Sequence, residues 1–434
     1  MSLSDTPAAP DPSAASVPGA AAERSTAALA EPTRNVTARW VTGLVLVNVG
    51  INAAFFGPIN VFIGQQAIGI DEANKEAILS LVTGCGAAVS LVANPLFGAL
   101  SDRTVSGFGR RAPWVLAGAI LATAALLAMS GATAVAMLVL FWCLVQLGAN
   151  AAYAAITAAV PDRVPVLQRG GVGGLAALGQ TGGVLLGAVF GAVVSGNFMV
   201  GYTMCAAALL FSVLPYLFHR NDPPLPREAR PPFSWGSFLR GFWISPARHP
   251  DFAWAWLTRF LVNVCNQMTI VYLLFFLRDV LRHEDPALGV LTLTGIYAVM
   301  VMITAVIAGP WSDRLGRRKP FVIGSSAIIA VAGLTMAFFP VWTGALIGAG
   351  ILGVGFGAYL AVDFALLTQV LPLAADRGKD MGIINVANSL PQVFAPVLAF
   401  LAVTYFGGYL TLFTTAAVIG LLGAVFVVKI KGVD

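Results

Sequence analysis

Two charges in this chain lie where charge is costly. Asp363 is the one acid inside a long apolar run, and Arg259 the one base. A charge in hydrocarbon is expensive and marks a functional site by default. At the helical rise, Arg259 lies about 12 Å in from Asp251 and Asp363 about 13 Å in from Pro372. The two therefore sit at similar depth. Such a pair suits proton coupling. A carboxylate beside a guanidinium keeps its charge, and one stripped of that partner in a low-dielectric cavity takes up a proton. Two arrangements stay open. The residues pair with each other, or Arg259 snorkels to the interface while Asp363 finds a structural partner.

Uncharged polar residues recur in the same runs. The first run holds Asn48 and Asn52; the fourth holds Gln146, Asn150, Tyr153 and Thr157. The last four are spaced four, three and four apart, which is one helix face. The seventh run adds Asn263, Asn266 and Gln267, and the tenth adds Tyr359. Gln180 lies in the fifth run, and Asn385, Asn388 and Gln392 in the eleventh. A lining of amides and hydroxyls suits a neutral, polyhydroxylated ligand. Isolated Asn and Gln also serve as interhelical hydrogen-bonding groups, so the stripe on the fourth run makes the stronger case for a lining.

A third constellation is duplicated. Gly98–Gly118 reads GALSDRTVSGFGRRAPWVLAG, and Gly309–Gly324 reads GPWSDRLGRRKPFVIG. Asp102 and Arg103 match Asp313 and Arg314, while Arg110, Arg111 and Pro113 match Arg317, Arg318 and Pro320. These loops carry the candidate gating residues. Asp102 and Asp313 are placed to accept from Arg side chains or to meet the positive end of a helix. Further echoes tie the halves together. LVNV occurs at Leu46–Val49 and at Leu261–Val264, and Tyr153 and Thr157 correspond to Tyr359 and Asp363. Internal duplication of this kind marks a two-repeat architecture.

The elements that position these residues follow from composition. The chain has 434 residues, 58% hydrophobic and 10% charged. A soluble domain carries about 25% charged residues, so this is the composition of a polytopic, all-α membrane protein. Twelve apolar runs are each long enough to span a bilayer, at about 40–65, 75–100, 113–131, 133–160, 170–195, 199–218, 252–277, 287–310, 320–339, 342–371, 380–405 and 408–428. The organisation expected is a disordered tail (1–33), a first six-helix half (34–218), a central loop (219–250) and a second six-helix half (251–434). In the central loop, Trp235, Phe238, Leu239, Phe242 and Trp243 recur at helical spacing around Arg240, as in a helix lying in the membrane interface. The tail lacks a basic start followed by an apolar core, so it does not read as a signal peptide.

Of the 25 Lys and Arg, all but Lys75, Arg259, Arg278 and Arg282 fall in the tail or in the loops on its side. That bias puts both termini in the cytoplasm. The net charge of +5 thus serves topology, and no nucleic-acid partner follows. The four cysteines sit inside apolar runs at unrelated spacings, which gives neither a disulfide framework nor a metal site. The three histidines lie in loops, away from any intramembrane relay. No G-x-x-x-x-G-K-[ST] loop occurs, so nucleotide-driven pumping by this chain is not expected. The run Gly353-Val-Gly355-Phe-Gly357 sits inside an apolar span, where close helix packing is its expected use.

Twelve spans in two halves, each with G-x-x-x-D-R…G-R-R between its second and third spans, resemble the major facilitator superfamily. Within the loop, SDRTVSGFGRRAPW is similar to the glycoside–pentoside–hexuronide symporters and the related sucrose transporters, as is KDMGIINVANSLPQ in span 11. Ala112 stands where those relatives often carry a third basic residue. Spans 1 and 2 lack the acidic residues of their sodium sites. The resemblance implies that spans 1, 4, 7 and 10 line a central cavity. It also implies that Asp102, Arg103, Arg110, Arg111, Asp313, Arg314, Arg317 and Arg318 join the halves on the cytoplasmic side in one state and release them in another. The function expected is alternating-access transport without enzymatic activity or cofactor, by a monomer in the plasma membrane of a prokaryote. The partners would be a small molecule and protons, and the favoured mode is symport of a sugar or glycoside. Alternatives are a proton-antiporting exporter of drugs or metabolites, and a non-transporting membrane sensor.

Overall fold

The computed structural model describes residues 32–194, 196–219, 236, 246–369 and 377–431. The expected tail lies outside them except for 32 and 33, and so does most of the central loop with its interfacial helix. Among the described residues, twelve main helices are present. They are α1 (Ala38–Gly57, continued through a π-turn at Pro58–Phe62 and on to Ile63–Ile70), α2 (Lys75–Asp102), α3 (Ala112–Met129), α4 (Val135–Arg163), α5 (Val166–Val193) and α6 (Phe198–Phe218). The second series is α7 (Pro250–Val271, then an arm Leu273–Asp279), α8 (Pro286–Leu315), α9 (Lys319–Phe338), α10 (Trp342–Gln369), α11 (Arg377–Tyr405) and α12 (Tyr409–Val427). Among the described residues, ten helices are long and apolar enough to cross a membrane. The α7 pair, bent by 41°, makes an eleventh, and α11 contributes the apolar stretch Ser389–Tyr405.

Local chemistry sets the helix ends. The Thr37 hydroxyl caps α1 by accepting from the Trp40 N–H, and the Asn197 side chain caps α6 by accepting from Val200. Pro113 and Pro320 lie in the first turns of α3 and α9, where a missing N–H costs nothing. The two matched loops turn on Gly109 and Gly316, at φ 98 and 63, a region that disfavours any side chain. One expectation shifts here. The repeated motif is partly helical: Asp102 ends α2, and Gly309–Leu315 forms the last two turns of α8.

Packing repeats as the sequence does. In the first six helices, α1 lies on α5 and α6, α2 on α4, and α3 on α4 and α6. In the second six, α7 lies on α11 and α12, α8 on α10, and α9 on α10 and α12. The two most extensive contacts between the sets are α2 with α11 and α5 with α8. They interchange when helices are renumbered by six, as a pseudo-two-fold axis requires. Small residues let the backbones meet. A Cβ on Gly118 would strike the Gly148 carbonyl, and one on Gly353 or Gly357 would strike the backbone of α8. Close approach substitutes here for a hydrophobic driving force, which lipid does not supply between helices.

Candidate functional site

Arg259 on α7 and Asp363 on α10 meet. Arg259 Nη1 donates to Asp363 Oδ2, and the two residues are 9% and 2% exposed. Asn263, one turn along α7, donates its amide to the Arg259 carbonyl at 2.8 Å. Tyr359, fully buried one turn before Asp363, lies near enough to bear on the same carboxylate. Tyr297 donates to the buried Asn266 at 3.4 Å. Aromatic rings surround this cluster. Trp256 stacks on Phe260, and Phe356 lies between Tyr297 and Tyr359.

The first six helices hold an uncharged counterpart. Gln180 on α5 donates to Tyr153 on α4 at 3.3 Å and to Asn48 on α1 at 3.5 Å. The Tyr153 hydroxyl also engages Thr157, an exposed residue one turn on. Below it, Asn150 bonds Gln146 at 3.0 Å and accepts from Asn94 on α2 at 3.4 Å. Asn52 turns back to the Asn48 carbonyl at 2.8 Å. Gln267 and Gln392 are half-buried and join neither cluster among the described residues. The side chains of Asn385, Asn388 and Asp313 lie outside the described set.

At the basic end of the bundle, Arg111 is 3% exposed. It reaches Asp162 Oδ2 at 2.8 Å through Nε, and Ser101 and Asp102 through its terminal nitrogens. Arg110 joins the same Asp162 oxygen. The end of α2 is thereby tied to the end of α4. Burial works against the Arg111 charge, but Asp162 and Asp102 outweigh it and push its pKa up. The second copy repeats the core of this. Arg318 Nη1 donates to the buried Ser312 at 3.0 Å, where Arg111 meets Ser101. Arg314 and Arg317 are exposed, and Arg103 is half-buried. Sequence reasoning passed over Ser101, Ser312, Asp162 and Asn94. The two serines stood in the repeated SDR triplet; nothing in the sequence tied Asp162 to the loop.

Residues 42–300 and 286–433 match the Major Facilitator Superfamily. The chain belongs to this superfamily. Its helices make it a multi-pass membrane protein of that superfamily. An uncharacterized MFS-type transporter of Mycobacterium tuberculosis (strain ATCC 25618 / H37Rv) is 30% identical over 109 residues, 25% of this chain and 14% of that one. The multidrug resistance protein MdtL of Shewanella sp. (strain ANA-3) is 32% identical over 127 residues, 29% of this chain and 31% of that one. The match thus spans under a third of either relative. A crystal structure of the peptide transporter POT in complex with sulfate superposes with a TM-score of 0.73 at 14% identity. That superposition covers 94% of this chain and 97% of the other, a likeness of fold.

At the end opposite the basic loops, this MFS chain closes between its two sets of helices. Lys75 of α2, 8% exposed, binds both carboxylate oxygens of Asp279 at 2.7 Å. Glu72 meets Arg278 at 2.6 Å, and Tyr272 donates to the Glu76 carbonyl at 3.1 Å. In the sequence, Lys75 and Arg278 read as topology markers alone.

Proposed function

We propose that this transporter works by alternating access and takes up a sugar or glycoside together with protons. The observation that carries the reading is the buried Arg259–Asp363 pair at the join of α7 and α10. A buried ion pair is costly to maintain for stability alone, since well-packed apolar residues do as well or better. Its use lies in being broken and re-formed. When Arg259 is drawn to substrate, Asp363 loses its partner and accepts a proton, so the two cargoes move together. The uncharged cluster of Asn48, Gln180 and Tyr153 offers donors and acceptors to hydroxyl groups. The SDR…FGRR loop and the span 11 segment, similar to the glycoside–pentoside–hexuronide and sucrose branch, favour the same substrate class.

The remaining assignments follow from this reading. The basic end faces the cytoplasm of a prokaryotic cell, by the charge bias, with both termini there. The protein acts in the plasma membrane as a monomer of two six-helix halves, 34–218 and 251–434. Its loop residues at the basic end form the inner gate. A second reading is proton-antiporting export of drugs or metabolites. It is favoured by the aromatic rings around Arg259 and by the multidrug resistance protein among the relatives.

The test is flux into proteoliposomes under an imposed pH gradient. Uptake of a sugar with inward protons supports the first reading. Efflux of an amphipathic compound against inward protons supports the second. Absence of flux for any compound that stabilises the purified protein returns the sensor reading.

A further inference from the structure

Asn60 is 5% exposed, and neither its Oδ1 nor its Nδ2 has a hydrogen-bond partner. Among the described residues it is the one buried side chain with two polar atoms in that condition. A buried amide left so costs stability, and the scaffold does not call for it. The LVNV echo aligns Asn60 with Leu274–Phe275 of the second half, and both of those are buried and apolar. The same frame is built at that level without an amide.

Asn60 lies in the π-turn Pro58–Phe62 of α1. Pro58 has no N–H to give the preceding turn, and π-turns within α-helices gather at functional sites. Gly64, one turn on, faces the arm of α7, where a Cβ would meet Leu274 and Phe275. Residues four apart share a helix face, so Asn60 is turned to the second half as well, while Val61 lies against Gly191 of α5. The π-turn touches α7, its arm and α8. Within about a turn of that level α7 is itself broken, between Val271 and Leu273. Two interrupted helices, one from each half, thus meet beside Asn60. At the helical rise, Asn60 lies about 18 Å along α1 from Asn48. That is too far for one mono- or disaccharide to touch both Asn60 and the Asn48–Gln180–Tyr153 cluster. It lies toward the Lys75–Asp279 closure, about 16 Å in from Asp71.

We propose that Asn60 is the polar contact of a second, outer subsite, which holds a hydroxyl of the ligand between the closed end and the central cluster. An amide donates and accepts at once, as a hydroxyl does. The apolar residues nearby, Val61, Leu274 and Phe275, suit an uncharged group and not an ion. The subsite serves the ligand while the Lys75–Asp279 end is open, and closure shuts the amide in without a partner. The hydroxylated class of ligand rests on the sugar reading above; the subsite rests on the amide.

The test separates binding from structure. In the full chain, Asn60→Leu removes both polar atoms and keeps the branched shape, and Asn60→Val does so with less bulk. Without ligand, at least one of the two should unfold about 2 °C or more above wild type, because a buried unpaired amide is gone. In proteoliposomes the substrates are labelled sucrose, lactose, melibiose and xylose. For whichever the wild type takes up, KM should rise roughly fivefold or more in both variants, the loss of one hydrogen bond to the ligand, with kcat near the wild-type value. Asn60→Ser, which keeps a donor and an acceptor, should recover part of that affinity. Unfolding of both apolar variants below wild type overturns the proposal, since the amide then supports the fold. So does an unchanged KM, or a rise that Asn60→Ser leaves unrelieved. A wild type that takes up none of the four sugars fails the sugar reading and the hydroxyl subsite with it, whereas an unchanged KM for a sugar that is taken up fails the subsite alone.

Discussion

Arg259 and Asp363, 104 residues apart in the chain, share a buried contact between α7 and α10. Their repeat counterparts in the first half carry no charge. The LVNV echo aligns Arg259 with Leu44, and Asp363 aligns with Thr157. Leu44 is buried at 1% exposure in the hydrophobic core. In these two clusters the halves share a scaffold and differ in chemistry, with an ion pair in the second where the first has uncharged amides and hydroxyls. On the proposed reading, the second half would handle the proton while the first grips an uncharged group.

Asp363→Asn imitates the protonated carboxylate. It should abolish accumulation driven by a pH gradient while leaving exchange at equal pH. Arg259→Ala should impair both. The double variant should lose less than the sum of the two, since residues in contact are non-additive by about 0.5–3 kcal/mol. Accumulation that survives in Asp363→Asn would leave the pair with a structural role alone.

The Arg111 node predicts an order of stability. Asp162 accepts from both Arg110 and Arg111 and its side chain is 23% exposed, whereas Asp102 accepts from Arg111 and is 53% exposed. Asp162→Asn should cost about 1.5–3 kcal/mol, the range for hydrogen bonds to charged groups. Asp102→Asn should cost about 1 kcal/mol or less, as an exposed pair does. Thermal unfolding of the purified protein checks the order, and the reverse order would remove Asp162 from the centre of the node.

Hydropathy and the doubled loop make the fold legible, because a membrane span needs only length and apolarity and a repeat needs only self-similarity. Depth along a helix is likewise readable, which is how Arg259 and Asp363 stand out. What the sequence hides is contact between distant segments. Lys75 and Asp279 are 204 residues apart, and each looks like an ordinary end-of-helix charge. Asp162 reads as part of a helix terminus, and its two arginine partners become visible when α4 packs beside α2. Amides were visible as a set, but their division into the Asn48–Gln180–Tyr153 and Gln146–Asn150–Asn94 groups depends on helix rotation.

Sidedness has its own check. Cysteines at Ala73 and at Gly236 should label from opposite faces of intact cells, Ala73 from outside. Labelling of both from outside would reverse the assignment of the basic end to the cytoplasm.

The choice between a hydroxylated substrate and an amphipathic one turns on which cluster the ligand touches. Gln180 is half-buried and holds Asn48 and Tyr153 together. A sugar hydroxyl entering there would exchange one hydrogen bond for another. Gln180→Ala would then leave the ligand's polar group unpaired, at about 1–3 kcal/mol, or roughly a 5- to 150-fold rise in KM. Tyr153→Phe should act in the same direction with a smaller effect, because Gln180 keeps its contact to Asn48. An amphipathic drug would instead bury its rings against Phe260 and Phe356, and there the losses would follow Phe356→Ala. The two patterns are mutually exclusive in their main effect. Ligand-induced thermal shifts on these variants therefore decide the substrate class before any transport assay is run. Sugar-induced stabilisation that is unchanged in both Gln180→Ala and Tyr153→Phe would remove this cluster from the binding site.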